Sequence, residues 1–195
     1  MDNILFLNAC TRPDSRTREL ARHVLGKLGG EVTELKLYEE ALPVLDAQGI
    51  QQRVDAVRAE DWDAPLLRYA RQFAQADVVV VAAPYWDLLF PAVVRSYFEN
   101  TTVSGVTFRY TPEGIPQGLC RAKKLIYVTT AGGPIGEYNL GYDYVSALSR
   151  LYYGIPETVC FQAEFLDIIG ADVPAIMAAA KKTVDEAFAE RKDQA

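Results

Sequence analysis

Residues 4–28 read ILFLNACTRPDSRTRELARHVLGKL, and this stretch decides the fold. An apolar run, Ile4 to Leu7, ends in a short polar segment from Asn8 to Thr17. A helical period follows, with Leu20, Ala21, Val24, Leu25 and Leu28 on one face. Strand, polar loop and helix together present backbone N–H groups and hydroxyls at a helix N-terminus, where an anion is favoured. The loop supplies Thr11, Ser15 and Thr17 as neutral donors and Arg12, Arg16 and Arg18 as cations. That is the make-up of a phosphate cradle. The same residues serve equally as an ordinary helix N-cap built on Asp14 or Ser15, so the loop alone leaves both readings open. Neither a G-x-x-x-x-G-K-S/T loop nor a G-x-G-x-x-G turn is present. Hydroxyls in place of glycines suit a terminal phosphate monoester better than a pyrophosphate, which needs close backbone approach.

Outward from this unit, strands and helices alternate. Gly29-Gly30 stops the first helix, and 32–37 alternates as a strand near a sheet edge. Residues 38–60 carry Pro43 and Gly49 and read as irregular surface chain, before a helix over 62–76. Residues 77–83 are a β-branched run, the pattern of a central parallel strand buried on both faces. A helix over 92–100 presents Val94, Tyr97 and Phe98 inward. Residues 102–119 lack a helical period and predict a hairpin or lid. Strands near 124–130 and 158–162 and helices over 142–153 and 174–191 complete the chain. The expectation is a single domain, residues 1–195, of the α/β class: a doubly wound five-stranded parallel sheet in the order 2-1-3-4-5.

Composition narrows the function. The chain has 195 residues, half of them hydrophobic, and a net charge of −6, which argues against nucleic acid or an anionic membrane as the main partner. Three cysteines (Cys10, Cys120, Cys160) with no C-x-x-C spacing and no secretory leader predict a reduced, cytoplasmic protein. Cys120 and Cys160 read as inert, with Cys160 buried in a strand. His23 is the sole histidine and lies beside the apolar face of the first helix, a structural position. Its being alone argues against His-based triads and metal sites.

Three loops fall on one rim of the expected sheet: 10–17, 84–90 and 130–134. Pro84 closes the third strand and is followed by Tyr85, Trp86, Asp87 and Leu88. Thr130, Ala131, Gly132 and Gly133 end the fourth. Tyr85 and Trp86 are a ligand wall or core aromatics; Gly132-Gly133 is a close-approach site or a plain turn. Taken together, the rim offers hydroxyls and positive charge, aromatic surface, and bare backbone against a flat ring. A planar heterocycle carrying a phosphate satisfies all three, and FMN is such a molecule.

In this order and spacing the residues resemble the flavodoxin-like NAD(P)H:quinone oxidoreductases, and most closely the FMN-dependent NADH-azoreductases. The matching pieces are Ser15-Arg16-Thr17, Ala-Ala-Pro-Tyr-Trp-Asp at 82–87, and Gly105-Val-Thr-Phe-Arg-Tyr-Thr111 with Gly114 and Gly118-Leu119. Lys123-Lys124, Gly132-Gly133 and Leu151-Tyr-Tyr-Gly-Ile-Pro156 complete the set. The resemblance implies a homodimer with one FMN per subunit and an active site completed at the interface. It implies that Ser15, Arg16 and Thr17 hold the phosphate, joined by Cys10, at a position where these enzymes commonly have serine, and by Arg12. It implies that Pro84, Tyr85, Trp86, Asp87 and Leu88 line the isoalloxazine, and that Thr130, Ala131, Gly132 and Gly133 face its pyrimidine end. Asp87 stands where the family often has asparagine. The implied reaction is ping-pong: hydride passes from NADH or NADPH to the flavin, then to a small aromatic quinone, azo or nitro acceptor. No side chain need serve as an acid or base. The alternatives are a non-enzymatic, monomeric electron carrier and a hydrolase, the latter lacking an activated nucleophile.

Overall fold

The computed structural model describes residues 1–192, so 193–195 of the expected 1–195 domain lie outside the described residues. The first strand, β1 (Asp2–Asn8), is fully buried from Ile4 onward and lies inside the sheet. Helix α1 (Arg16–Leu28) starts at an N-cap, Ser15, whose side chain accepts from the Arg18 amide. It stops at Gly29, which takes a left-handed φ of 62° that a side chain would resist. Strand β2 (Gly30–Lys36) follows at the edge, with Leu35 alone buried.

Residues 38–60 are not irregular throughout, as the sequence reading had them. They contain α2 (Ala47–Arg58), capped by Asp46 accepting from the Gly49 amide at 2.8 Å. No residue of α2 is fully buried, so its apolar stripe is thin. Ala56 and Val57 lean on a small satellite cluster of Ala64, Leu67, Ala70 and Val103. The next helix also starts later than its period suggested. Ala64 precedes Pro65 and is extended (ψ 131°), as the proline ring demands. A 3₁₀ turn, Pro65–Leu67, then leads into α3 (Arg68–Gln75).

Strand β3 (Val78–Ala82) is buried at every position and is followed by α4 (Ala92–Thr101). Two short strands, β4 (Phe108–Tyr110) and β5 (Pro116–Gly118), form an antiparallel hairpin. Then come β6 (Lys124–Thr130), α5 (Leu140–Leu148) with a π-helical last turn at Ser149–Tyr153, β7 (Glu157–Ala163) and α6 (Val173–Lys192). The large sheet is parallel and ordered β2-β1-β3-β6-β7. Counting its strands in chain order, that is 2-1-3-4-5, as the sequence predicts.

Successive side chains of a strand point to opposite faces, and the core divides accordingly. Leu5, Leu7, Val79, Val81, Leu125 and Tyr127 pack on one face with Phe73, Tyr97, Phe98 and Val145 from α3, α4 and α5. Ile4, Phe6, Val78, Val80, Ile126 and Val128 pack on the other with α1 and α6, through Leu20, Val24, Met177 and Val184. His23 has the structural role its position implied. Its Nε2 and the Lys27 ammonium both lie 2.7 Å from Asp185, tying α1 to α6. Burial pushes the Cys120 and Cys160 thiols up to about 12, which keeps both protonated and unreactive, although Cys160 is half-buried rather than buried.

The amino-end rim of the sheet is held by Asp77. Its carboxylate accepts from the Asn3 amide at 3.0 Å and from the Arg121 guanidinium at 2.7 Å, and these contacts hold it below the usual carboxylate range. A carboxyl whose folded value is depressed lends stability above its unfolded value, about 4, and loses it as pH falls through the folded value. Asp77→Asn is therefore expected to be less stable than the parent at pH 7. The gap should narrow as pH falls below about 4 and the parent's carboxyl in turn takes up its proton. Urea midpoints at pH 7 and pH 2.5 check this, and an equal gap at both would refute it.

Candidate cofactor cleft

At the carboxyl end of β1, β3 and β6 the chain opens a cleft of about 230 Å³, where the strand order reverses. The three loops expected to meet there do meet. Thr11, Arg12, Asp14, Ser15, Arg16 and Thr17 come from the first, Pro84, Tyr85 and Trp86 from the second, and Thr130, Ala131 and Gly132 from the third. A fourth, after β7, adds Leu166 and Asp167. Sequence reading missed it, although the rule that ligands bind at the carboxyl ends of parallel strands applies equally to β7.

The first loop is shaped from within. Arg18, one of the loop's three cations, folds back so that its guanidinium donates to the Arg12 and Pro13 carbonyls. Ser15 Oγ takes the Arg18 amide and the Ser15 carbonyl takes the Glu19 amide, leaving the Arg16 and Thr17 amides without acceptors among the described residues. Two N–H groups at a helix N-terminus thus stand free beside hydroxyls, with Arg12 and Arg16 also lining the cleft, a donor set of the kind that suits an anion. Thr17 is buried, and its hydroxyl lies 2.6 Å from that of Thr130, fixing the first loop against the third.

The remaining walls are stitched together by backbone. The Tyr85 amide donates to the Thr130 carbonyl (3.1 Å), Ala131 to Ala163 (2.9 Å), Leu166 to Ala131 (3.2 Å) and Asp167 to Gly132 (3.0 Å). The Tyr85 hydroxyl donates to the Tyr138 carbonyl at 3.1 Å. Gly132 leaves room for the Asp167 side chain. A Cβ there would sit 2.4 Å from Asp167 Oδ2. The amides of Gly132 and Gly133 have no acceptor among the described residues.

Four of the expected contact residues do not line the cleft. Cys10 sits beneath it, its amide donating to Asn8 Oδ1 at 2.9 Å and its Sγ lying 3.9 Å from the Ala82 carbonyl. Burial raises its thiol above the ordinary value. Asp87 and Leu88 are the exposed central pair of a tight turn closed by reciprocal bonds between Trp86 and Leu89. Both have positive φ, 49° and 70°, a pairing that Asn-Gly would signal and Asp-Leu does not. Gly133 uses its carbonyl to take the Phe165 amide. The 102–119 excursion is the hairpin expected, but it is no lid. Its Thr107 and Phe108 are buried, and none of its residues reaches the cleft.

A doubly wound sheet with a cleft and a helix start at its switch point defines the class. The sequence profile described as Flavodoxin-like fold matches residues 2–194, and the chain belongs to that family. It is 33% identical over 205 residues to the FMN-dependent NADH:quinone oxidoreductase 2 of Clostridium acetobutylicum, covering 99% of this chain and 100% of the relative. With the FMN-dependent NADH:quinone oxidoreductase of Lachnoclostridium phytofermentans it shares 35% over 184 residues, covering 90% and 92%. Among solved structures it is similar to azoreductase from Bacillus anthracis, with a TM-score of 0.81 and 26% identity over 96% of this chain and 99% of that one. Among the described residues, no helix is long and apolar enough to cross a membrane.

Proposed function

We infer that the protein is an FMN-dependent NADH:acceptor oxidoreductase that reduces quinones and azo compounds, and nitro compounds by the same route. The observation that carries this reading is the meeting of a helix-start anion site, an aromatic wall and a bare Gly132 around one cleft. The donor set fits the cofactor. Free amides, hydroxyls and arginines suit a phosphate, and the aromatic Tyr85 and Trp86 with the bare backbone of Gly132 suit a flat ring. The names carried by its relatives support the same assignment.

When bound, FMN supplies two-electron chemistry, taking hydride from NADH and delivering it to the acceptor in ping-pong order. The chain's own part is binding and electrostatics. Ser15, Thr17 and the Arg16 amide hold the phosphate, and Arg12 adds charge. Tyr85 and Trp86 keep water from one side of the cleft. The unpartnered Gly132 and Gly133 amides are available to stabilise negative charge at the ring's polar edge. His23 is engaged with Asp185 on the α1–α6 face, so no imidazole serves as an acid or base here.

Exposed Trp86, Leu88 and Leu89, with Tyr138, Phe165 and Ile168 on the neighbouring loops, give the rim an apolar character that supports a homodimer closing over the site. Three unpaired thiols support a reducing, cytoplasmic setting. The test is to identify the released flavin by chromatography, then follow NADH oxidation with menadione alongside a size measurement. FMN, turnover and a dimer are expected. A monomer that binds FMN but does not turn over would favour the electron-carrier reading, and absence of flavin would overturn both.

A further inference from the structure

The sequence reading assigns Arg16 to the phosphate, yet the structure shows that its guanidinium already has partners. Arg16 Nη1 donates to the Leu166 carbonyl at 2.9 Å and to Asp167 Oδ1 at 2.8 Å, both on the loop after β7. The other carboxylate oxygen of Asp167 lies over Gly132, in the space a Cβ there would take, while the Asp167 amide donates to the Gly132 carbonyl. One carboxylate thus bridges the phosphate end of the cleft to the loop expected at the ring's pyrimidine end. It also sets the charge. The cleft's side chains include two cations, Arg12 and Arg16, and two carboxylates, Asp14 and Asp167. The phosphate end is therefore close to neutral in side-chain charge, and its grip rests on amides and hydroxyls.

Resting on the flavin reading above, we propose that Asp167 is a positioning residue that holds Arg16 between the first and fourth loops and thereby limits the cleft's preference for a phosphorylated flavin. Nη1 is committed to the fourth loop, and the carboxylate beside it opposes an incoming dianion. Asp167→Asn keeps the shape and an acceptor for Arg16 but removes the opposing charge. Asp167→Ala removes the bridge altogether.

The experiment titrates flavin-stripped protein with FMN and with riboflavin, reading the quenching of flavin fluorescence, at low and high salt. The ratio of the two dissociation constants isolates the phosphate. In Asp167→Asn the preference for FMN should rise about tenfold at low salt, the scale of one charge-assisted contact, and the gain should shrink at high salt. In an Arg16→Gln background the same substitution should raise the preference less, because only the direct repulsion of the dianion is then relieved and no guanidinium is released toward it. Asp167→Ala should weaken riboflavin as well, since the fourth wall loses its side-chain tie to Arg16 and keeps only its backbone bonds and the Leu166 carbonyl contact. A residue that merely stabilises the loop would move both flavins together and leave the ratio unchanged. An unchanged or lowered ratio in Asp167→Asn, with the parent binding FMN, overturns this proposal alone. A parent that binds neither flavin overturns the flavin reading and this proposal with it.

Discussion

Replacing Ser15 and Thr17 together with alanine is expected to weaken FMN binding at least 100-fold while the chain still folds. Each hydroxyl that donates to a phosphate dianion contributes about 1.5–3 kcal/mol, so losing two costs roughly 3 kcal/mol or more of binding. The folded state is also touched. Ser15 caps α1, and cap removal costs about 1 kcal/mol. Thr17 is buried against the Thr130 hydroxyl, and orphaning that group costs about 1–3 kcal/mol. The sum, about 2–4 kcal/mol, is below the 5–15 kcal/mol typical of a domain, so the variant stays folded with a lower melting point. Flavin titration and far-UV circular dichroism on one sample separate the two effects. Retained stoichiometric FMN would sink the phosphate cradle, and Thr17→Ser, which keeps the hydroxyl, should recover most of the affinity.

The largest effect on stability is expected at a residue far from the cleft. A Cβ on Gly118 would stand 2.1 Å from the Gly154 nitrogen and 2.2 Å from the Tyr153 carbonyl carbon. Both obstacles are backbone, so no side-chain rotation relieves them. The β4–β5 hairpin is pressed onto the π-helical turn that ends α5, where Phe108 also packs edge-on against Tyr152 at 4.9 Å. Tyr153 in turn packs into the core with its ring tilted against Phe73 at 4.6 Å, and its hydroxyl lies 2.7 Å from that of Thr102. Gly118→Ala must push the hairpin off this surface, at about 3 kcal/mol or more, the upper range for overpacking. For a chain of this size that lowers the melting point by roughly 6–12 °C. Gly114→Ala is the contrast. It has a left-handed φ of 80° but open space around it, so only conformational strain, about 1–2 kcal/mol, is expected. If the two variants melt alike, the hairpin's close packing is not what Gly118 provides.

These two positions also show how far the sequence could be read. Ser15 and Thr17 stood out in the sequence, but as a phosphate cradle or an ordinary N-cap alike, because hydroxyls between an apolar strand and an amphipathic helix serve either role. Gly118 could be matched only by its likeness to a family pattern. Its reason, a backbone contact with Gly154, involves a residue 36 positions further along the chain (154 − 118). Helix α2 was missed because its partner surface is a small satellite cluster and no residue of it is fully buried, so periodicity left little trace. Asp46, an N-cap three residues before Gly49, was the signal available. Arg16 lines the cleft, but its bond to Asp167 spans 151 positions and nothing local hints at it.

The sequence by itself determined the alternation of strand and helix, the burial of β3 on both faces and hence the sheet order, and the three rim loops that face one another. Those follow from local periodicity and from the few ways a right-handed crossover can return to a parallel sheet. Only the tertiary structure decided which members of each loop point into the cleft. It turned Asp87 and Leu88 outward on a tight turn, set Cys10 beneath the cleft floor and brought a fourth loop to the rim. It also gave Arg16 a carboxylate partner. Side-chain direction in a loop is set by what the backbone bonds to across the fold, and those bonds join residues that sequence order keeps far apart.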